Sequence, residues 1–478
     1  MGIPSYFSYI IRNHPHILRN IEFLKKNVQF QHLYMDCNSI IYDTVSMLEK
    51  IVPKMNIVDF ETRLIQIVMD KIDEYIFYIK PSDTVYIAFD GVAPPAKWQQ
   101  QQSRRERTTF MSTLRYGDET IESIPIFDKI KITPGTEFMK TLSLRVESYY
   151  RNSHERYGVK KVIISSPNED GEGEHKIFEY VREHNGENLN DQAALYGLDS
   201  DLIMLSIFHL KYIKNIHIFR EAPEFMRSSI PVDIKFGSNE PYFLDMSSLS
   251  QSILTEMRCK YTSDNRIDDY VFLCFFLGND FLPHFPFLNI RTHGLQVLLD
   301  MYRIHVGSYP DRFFILNDTI QWDVVFLFIK EIAKIEHELL LREHGYREKY
   351  DKWVFSENTA KEREENVQNI PIIYRAVEKY ICPTEPYWKE RYYKALFFDM
   401  ETLSKEEQKK QIDNLSANYI EGLEWVYTYY TKGCKDWLWK SRSKNGLMWS
   451  SIGSVERVWK CELCKKKVIV YVRYIWEL

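Results

Sequence analysis

Seven acidic residues in this 478-residue chain stand where apolar runs meet turns: Asp36, Asp90, Glu172, Glu174, Asp199, Asp201 and Asp280. Four of them fall within 165–205, with Glu172 and Glu174 in GEGEHK and Asp199 and Asp201 in YGLDSDLIML. One such acid alone is most often a helix cap or a first-turn residue that answers the helix dipole. A set of acids at one mouth obeys different rules. Two carboxylates about 4 Å apart repel by about 4 kcal/mol at an effective dielectric near 20. Such a cluster must take up protons or cations. Hard oxygen ligands in that number select Mg²⁺ or Mn²⁺ over zinc. Two such ions about 4 Å apart suit phosphodiester hydrolysis.

A second constellation, GVAPPAKWQQQQSRRER, begins directly after Asp90. Lys97, Gln101, Arg104 and Arg105 recur at helical spacing and fall toward one side, with Pro94 and Pro95 at the expected helix start. Read alone, this is a solvated basic face. Beside a metal site, it offers a phosphate one point charge and forked donors. A pocket for a terminal phosphate would count nucleotides from a chain end. Tyr42, and Trp437 and Trp439 in GCKDWLWK, supply rings on which bases can stack. His175 reads as a hydrogen-bonding residue around the site. Cys461 and Cys464 form a lone CxxC; a structural zinc needs four ligands, so none is expected.

The elements that must position these residues alternate in type. Phe30–Asp36, Asp83–Gly91, Lys160–Ser166, YGLDS and Ile216–Glu221 read as strands, and Asp59–Lys80 as an amphipathic helix. Alternation of this kind predicts an α/β domain with a mostly parallel sheet, whose ligands bind beyond the carboxyl ends of the strands. Asp36, Asp90 and Asp199 fall at such ends. Arg266–Pro286 reads as a buried helix stopped by Gly and Pro, with Asp280 at its mouth. From Gln321 to Tyr430 the pattern is helical, with 322–346 as one long helix. Lys361–Asn366 and Ser404–Lys410 read as charged connections. The last stretch, 440–478, loses its period.

The length favours two domains, and 45% hydrophobic with 27% charged residues is ordinary for a globular protein. A net charge of −5 leaves room for a local basic pocket. No apolar run approaches the roughly 20 residues of a membrane span, and Tyr6 stands where myristoylation needs Ser or Thr. Seven scattered cysteines without a signal peptide point to a reducing, intracellular compartment, taken as the cytoplasm.

In order, MGIPSYF, LYMDCNSIIYD, FDGVAPPAKWQQQQSRR, ITPGTEFM, DGEGEHKI, YGLDSDLIML, REAPEF, DDYVFLCFFLGNDFLPHFP, WKERYYK and YIEGLEWVYTYYTKGCKDWLW resemble the signature segments of the XRN 5′→3′ exoribonucleases. The resemblance covers roughly residues 1 to 439. It implies a nuclease core of the PIN and flap-endonuclease type over 1–310, an α-helical domain over 311–439, and a divergent tail over 440–478. It implies degradation of single-stranded RNA bearing a 5′-monophosphate to nucleoside monophosphates, in RNA decay. The family's acidic cluster maps onto the seven acids with two Mg²⁺ or Mn²⁺ ions, and its 5′-phosphate pocket onto Lys97, Gln101, Arg104 and Arg105. Three departures stand out: Tyr42 replaces a stacking His, Asp170 replaces a Pro, and KSRSKNGLMWSS follows Trp439. No zinc-knuckle insertion lies between Asp201 and Asp245, which sets the chain nearer the family's cytoplasmic branch. Two rivals are a structure-specific flap or 5′-exonuclease on DNA, and a non-catalytic RNA-binding scaffold. The altered tail leaves room for the scaffold, and the full set of acids argues against it.

Overall fold

Side chains of successive strand residues point to opposite faces of a sheet, and the five central strands are apolar on both. Leu33 and Met35, Val85 and Ile87, and Ala194 and Tyr196 fill one core, while Tyr34, Tyr86 and Ala88, and Ala193 and Leu195 fill the other. A sheet apolar on both faces must be covered on both. The computed structural model describes residues 2–51, 55–116, 127–184, 187, 189–197, 199–221, 241–369, 375–397 and 400–441. In it the strands of the main sheet are β1 (Leu18–Arg19), β2 (His32–Asp36), β3 (Thr84–Ala88), β4 (Lys161–Ser165), β5 (Gln192–Tyr196), β6 (Asn215–Glu221) and β7 (Pro241–Asp245). Their order is β1-β7-β6-β5-β2-β3-β4. β2 to β6 pair in parallel, and β7 and β1 add antiparallel strands at one edge. Helices Asn38–Ile51, Ile57–Ile79 and Glu137–Tyr150 cover one face. Helices Gly173–Glu183, Asp201–His209, Met246–Met257 and Arg266–Phe275 cover the other. The fold is therefore α/β with a mixed, mostly parallel sheet, followed by a helical region.

The chain lays β2, β3 and β4 outward in one direction, then returns to place β5 on the other side of β2. The reversal between β2 and β5 is a topological switch point, where connections leave in opposite directions and open a crevice at the strands' carboxyl ends. Asp36 closes β2, and Asp199 follows β5 by three residues, so the two acids straddle that crevice.

Beyond the sheet, helices Trp322–Lys334, Glu336–Glu348, Ala360–Gln368, Ala376–Ile381, Trp388–Leu396 and Lys405–Lys432 follow. The second core runs without a break into them: Phe326, Phe328, Leu423, Val426 and Tyr430 belong to the same apolar cluster as Leu202 and Phe275. Helix Lys405–Lys432 packs on helix Asp201–His209. Among the described residues no helix is long and apolar enough to cross a membrane.

Several expectations need correction. YGLDS is not a strand: β5 ends at Tyr196, one residue before Gly197, and Asp199 lies in the turn that enters the next helix. The helix expected over 322–346 breaks at Ile335, whose N–H bonds the Ile332 carbonyl. The break turns Glu336 inward, where its carboxylate meets Lys389 Nζ at 3.3 Å. The charged stretches 361–366 and 404–410 are helical rather than connections. Ser404 and Glu407 form a reciprocal capping box that starts the long helix. The altered stretch beyond Ser441, both CxxC cysteines and residues 222–240 of the interval lacking a zinc knuckle lie outside the described residues.

Arg266 opens the helix that leads to Asp280 and is only 1% exposed. Its guanidinium donates to the carbonyls of Tyr261, Tyr309 and Arg312 and to the Tyr302 hydroxyl. Arg266→Ala strands those buried acceptors, and we expect it to cost about 3 kcal/mol of folding stability in urea unfolding. A loss below about 1 kcal/mol would show that these bonds contribute little net stability.

Candidate active site

Each acid reaches the crevice by a different local device. Asp90 follows β3 by two residues and is held from three sides. The Asn38 amide donates to its Oδ2 at 2.7 Å, its own N–H donates to Asn38 Oδ1 at 3.0 Å, and the Gly173 N–H donates to its Oδ1 at 2.7 Å. Gly173 must be glycine for space, since a Cβ there would lie 2.7 Å from Asp36 Oδ1. Glu172 occupies the N-cap of helix Gly173–Glu183 with Glu174 in its first turn, and Asp201 is the first residue of its own helix. The positive helix ends therefore face the carboxylates. Gly2 (φ +55°) abuts Asp201, and a Cβ there would overlap Oδ1 at 1.9 Å. Lys176, on the same helix as Glu174, donates to the carbonyls of Phe89 at 3.0 Å and Ser166 at 2.8 Å, which ties the ends of β3 and β4 together.

The helix Pro95–Tyr116 turns one face inward. Lys97, buried, pairs with Glu172 and, at 3.2 Å, with Asp280 Oδ2. Gln100 donates to Asp280 Oδ1, and Arg104 Nη2 lies 3.3 Å from Asp280 Oδ2. The inward stripe is thus Lys97–Gln100–Arg104. Gln101 is half-buried and Arg105 exposed on the next strip of the helix. Tyr42 is 42% exposed and lies within electrostatic reach of Asp90, Arg105 and Arg104. Trp439 is half-buried, with one ring face against Trp425 at 5.0 Å, and Trp437 is half-buried.

The seven acids form one electrostatic network. Burial and then Asp90 and Asp199 push the Asp36 carboxyl well above its usual range. Burial and Glu172 raise Asp90, against the Gly173 N–H and Lys97. Burial, Asp199 and Asp201 raise Glu174, and burial, Asp199 and Asp280 raise Asp201 to about 8. Asp199 goes the other way, to about 2: burial raises it, but nearby positive charge, Lys97 included, and the Asp201 N–H outweigh that. Burial opposes the charge on Lys97, yet Glu172 and Asp280 hold its ammonium well above the usual range.

Asp36 Oδ1, Glu174 Oε2 and Asp201 Oδ1 are buried and accept no hydrogen bond among the described residues. Glu172, Glu174 and His175 each offer a ligand atom, all within 4.8 Å of one another. Buried carboxylate oxygens without donors fit a hard divalent cation. The donor set is compatible with Mg²⁺ or Mn²⁺. His175 itself is held neutral, first by burial and then by Lys97 and Arg182.

Four residues of this site escaped the sequence reading: Asn38, Gln100, Tyr429 and Tyr430. The Tyr429 hydroxyl donates to Glu172 Oε2 at 3.0 Å, and Tyr430 lies within electrostatic reach of Asp201. Asn38 had a local signal, an Asn at the helix start two residues after a strand-end Asp. The tyrosines stand in the signature segment YIEGLEWVYTYYTKGCKDWLW, but nothing local ties them to the acids, which lie more than 200 residues away.

Fold and site together define an α/β protein with a buried acidic centre at a sheet switch point, flanked by a basic helix. The family model of the XRN 5'-3' exonuclease N-terminus matches residues 1–222, and that of the Xrn1 helical domain matches 260–382 and 376–441. The chain belongs to the XRN 5'-3' exonuclease family. It is 30% identical over 410 residues to "5'-3' exoribonuclease 2" of Arabidopsis thaliana, covering 71% of this chain and 40% of that protein. It is 32% identical over 331 residues to "5'-3' exoribonuclease 1" of Saccharomyces cerevisiae, covering 65% and 21%. It is 25% identical over 556 aligned positions to "5'-3' exoribonuclease 2 homolog" of Drosophila melanogaster, covering 92% and 60%. The chain thus spans between about a fifth and three fifths of the length of these relatives.

The raised pKa of Asp201 has a consequence for stability. A folded value of about 8 against an ordinary 3.8 means that its contribution is fully present below about pH 3.8 and is lost as pH rises through 8. Asp36 and Glu174 share that direction. Asp199, depressed to about 2, contributes above 3.8 and loses its share only as pH falls toward 2. The metal-free protein should therefore lose stability from this site between about pH 4 and pH 8. Mg²⁺ should raise the melting temperature more at pH 8 than at pH 5.5. Thermal melts at both pH values, with Mg²⁺ and with EDTA, check this; an equal Mg²⁺ effect at both would contradict it.

Proposed function

We propose that this chain is a 5′→3′ exoribonuclease that releases nucleoside monophosphates from single-stranded RNA with a 5′-monophosphate, in RNA decay, mRNA included. The observation that supports it most is the inward basic stripe of Lys97 and Arg104 set directly against a buried acid cluster with orphaned carboxylate oxygens. That pairing suits a substrate that brings both a terminal phosphate and a scissile phosphodiester. The relatives' printed names, exoribonucleases of 5'-3' polarity, agree with the reading.

Asp36, Asp90, Glu172, Glu174, Asp199, Asp201 and Asp280 would hold two Mg²⁺ or Mn²⁺ ions. When bound, these supply an activated water and charge stabilisation at the leaving oxygen. The chain's own residues do the rest. Lys97, Gln101, Arg104 and Arg105 bind the terminal phosphate and fix which bond lies over the acids. Tyr42, Trp437 and Trp439 provide rings against which bases register. The core over 1–310 is of the PIN and flap-endonuclease type, and 311–439 forms the helical domain that borders the site. Cys37, Cys259, Cys274, Cys382 and Cys434 are free thiols, which suits a reducing, cytoplasmic setting.

Two RNAs that differ only at the 5′ end test the pocket. We expect the monophosphate RNA to be degraded and the triphosphate RNA to resist. Equal rates would contradict the assignment. Asp201→Ala should abolish turnover while leaving RNA binding intact in a filter-binding assay; an active variant would remove Asp201 from the machinery. Single-stranded DNA tested beside the RNA separates this reading from a DNA exonuclease.

A further inference from the structure

The long helix Lys405–Lys432 reaches the acids by two adjacent residues. Tyr429 donates to Glu172 Oε2 at 3.0 Å, while Lys97 holds Glu172 Oε1. Tyr430 lies within electrostatic reach of Asp201. Both tyrosines are buried. Their rings are fixed as well. Tyr429 stacks on His175 with centroids 3.7 Å apart and planes at 21°, and on Trp425 at 4.9 Å and 27°. Its edge meets Phe281, the neighbour of Asp280, at 5.4 Å and 86°. Tyr430 meets His175 edge-on at 5.6 Å and 82°. The Tyr429 ring therefore touches the segments that carry Glu172, Glu174 and Asp280, and the His175 ring lies between both tyrosines.

A carboxylate has about four acceptor positions. A hydroxyl that occupies one of them fixes the plane of the group and leaves the others to face the crevice. Partners of this kind orient metal ligands, and their removal costs about 10- to 100-fold in metal affinity. We propose that Tyr429 is a positioning residue, supplied by the helical region, that sets the orientation of Glu172 toward divalent cations. This rests on the metal reading given above. It assigns the helical region a part in building the acid site as well as in covering it.

The test uses Tyr429→Phe, which keeps the stacked ring and removes only the hydroxyl. Calorimetric titration of the full chain with Mn²⁺ should show affinity weakened by about tenfold, with the metal-free melting temperature close to that of the wild type. Tyr429→Met, which fills the same buried space without a hydroxyl, should act in the same direction and provides an independent variant if the first does not fold. Tyr429→Leu, which also removes the ring, should lower the metal-free melting temperature. Tyr429 variants without the hydroxyl that bind Mn²⁺ as tightly as the wild type would overturn this inference alone. A wild-type chain that takes up no Mn²⁺ would overturn the metal reading, and this inference with it.

Discussion

Mutual repulsion among buried carboxylates is the constraint around which this protein is built. Asp36, Asp90, Glu174 and Asp201 are each driven toward the protonated state, by burial first and by one another second. A cluster of that kind survives folding only if positive charge and N–H donors are brought to it at fixed places. Lys97 sits between Glu172 and Asp280, Arg104 beside Asp280, and the Gly173 N–H on Asp90. Each of these contacts needs a particular piece of backbone nearby, so the charge problem dictates much of the local structure. The glycine at 173 and the helix starts at Glu172 and Asp201 are parts of that solution.

The sheet supplies the place. Reversal of strand order between β2 and β5 opens a crevice at the carboxyl ends, and Asp36 and Asp199 stand on its two sides. The helical region is not an independent appendage to this arrangement. One apolar core extends from beneath helix Asp201–His209 through the helices beyond residue 320. Through that continuity, Tyr429 and Tyr430 are held against the acids.

Much of this was legible in the residues. Strand positions followed from runs such as HLYMD and TVYIA, and the acids were marked by their places at the ends of those runs. The errors have physical causes. YGLDS reads as a strand, but the strand, Gln192–Tyr196, ends at its first residue, and the apolar run from Leu202 on is buried as a helix. The apolar run over 322–346 hid its break at Ile335, because the break serves a buried contact between Glu336 and Lys389 that lies far away in sequence. The capping box at Ser404 was readable and was masked by the surrounding charge. Helical spacing placed Lys97 and Arg104 on one side but could not show that Gln100 turns toward Asp280 beside them. The place of the tyrosines at the acids could not be read, since only the tertiary fold brings residues 429 and 430 toward Glu172 and Asp201.

We propose that the acid cluster binds divalent cations. Anomalous diffraction from crystals grown with Mn²⁺ tests it most directly. Two peaks about 4 Å apart, bounded by Asp36, Asp90, Glu172, Glu174, Asp199, Asp201 and Asp280, are the predicted result. No peak among those residues, with the Lys97 ammonium alone neutralising Glu172 and Asp280, would contradict it.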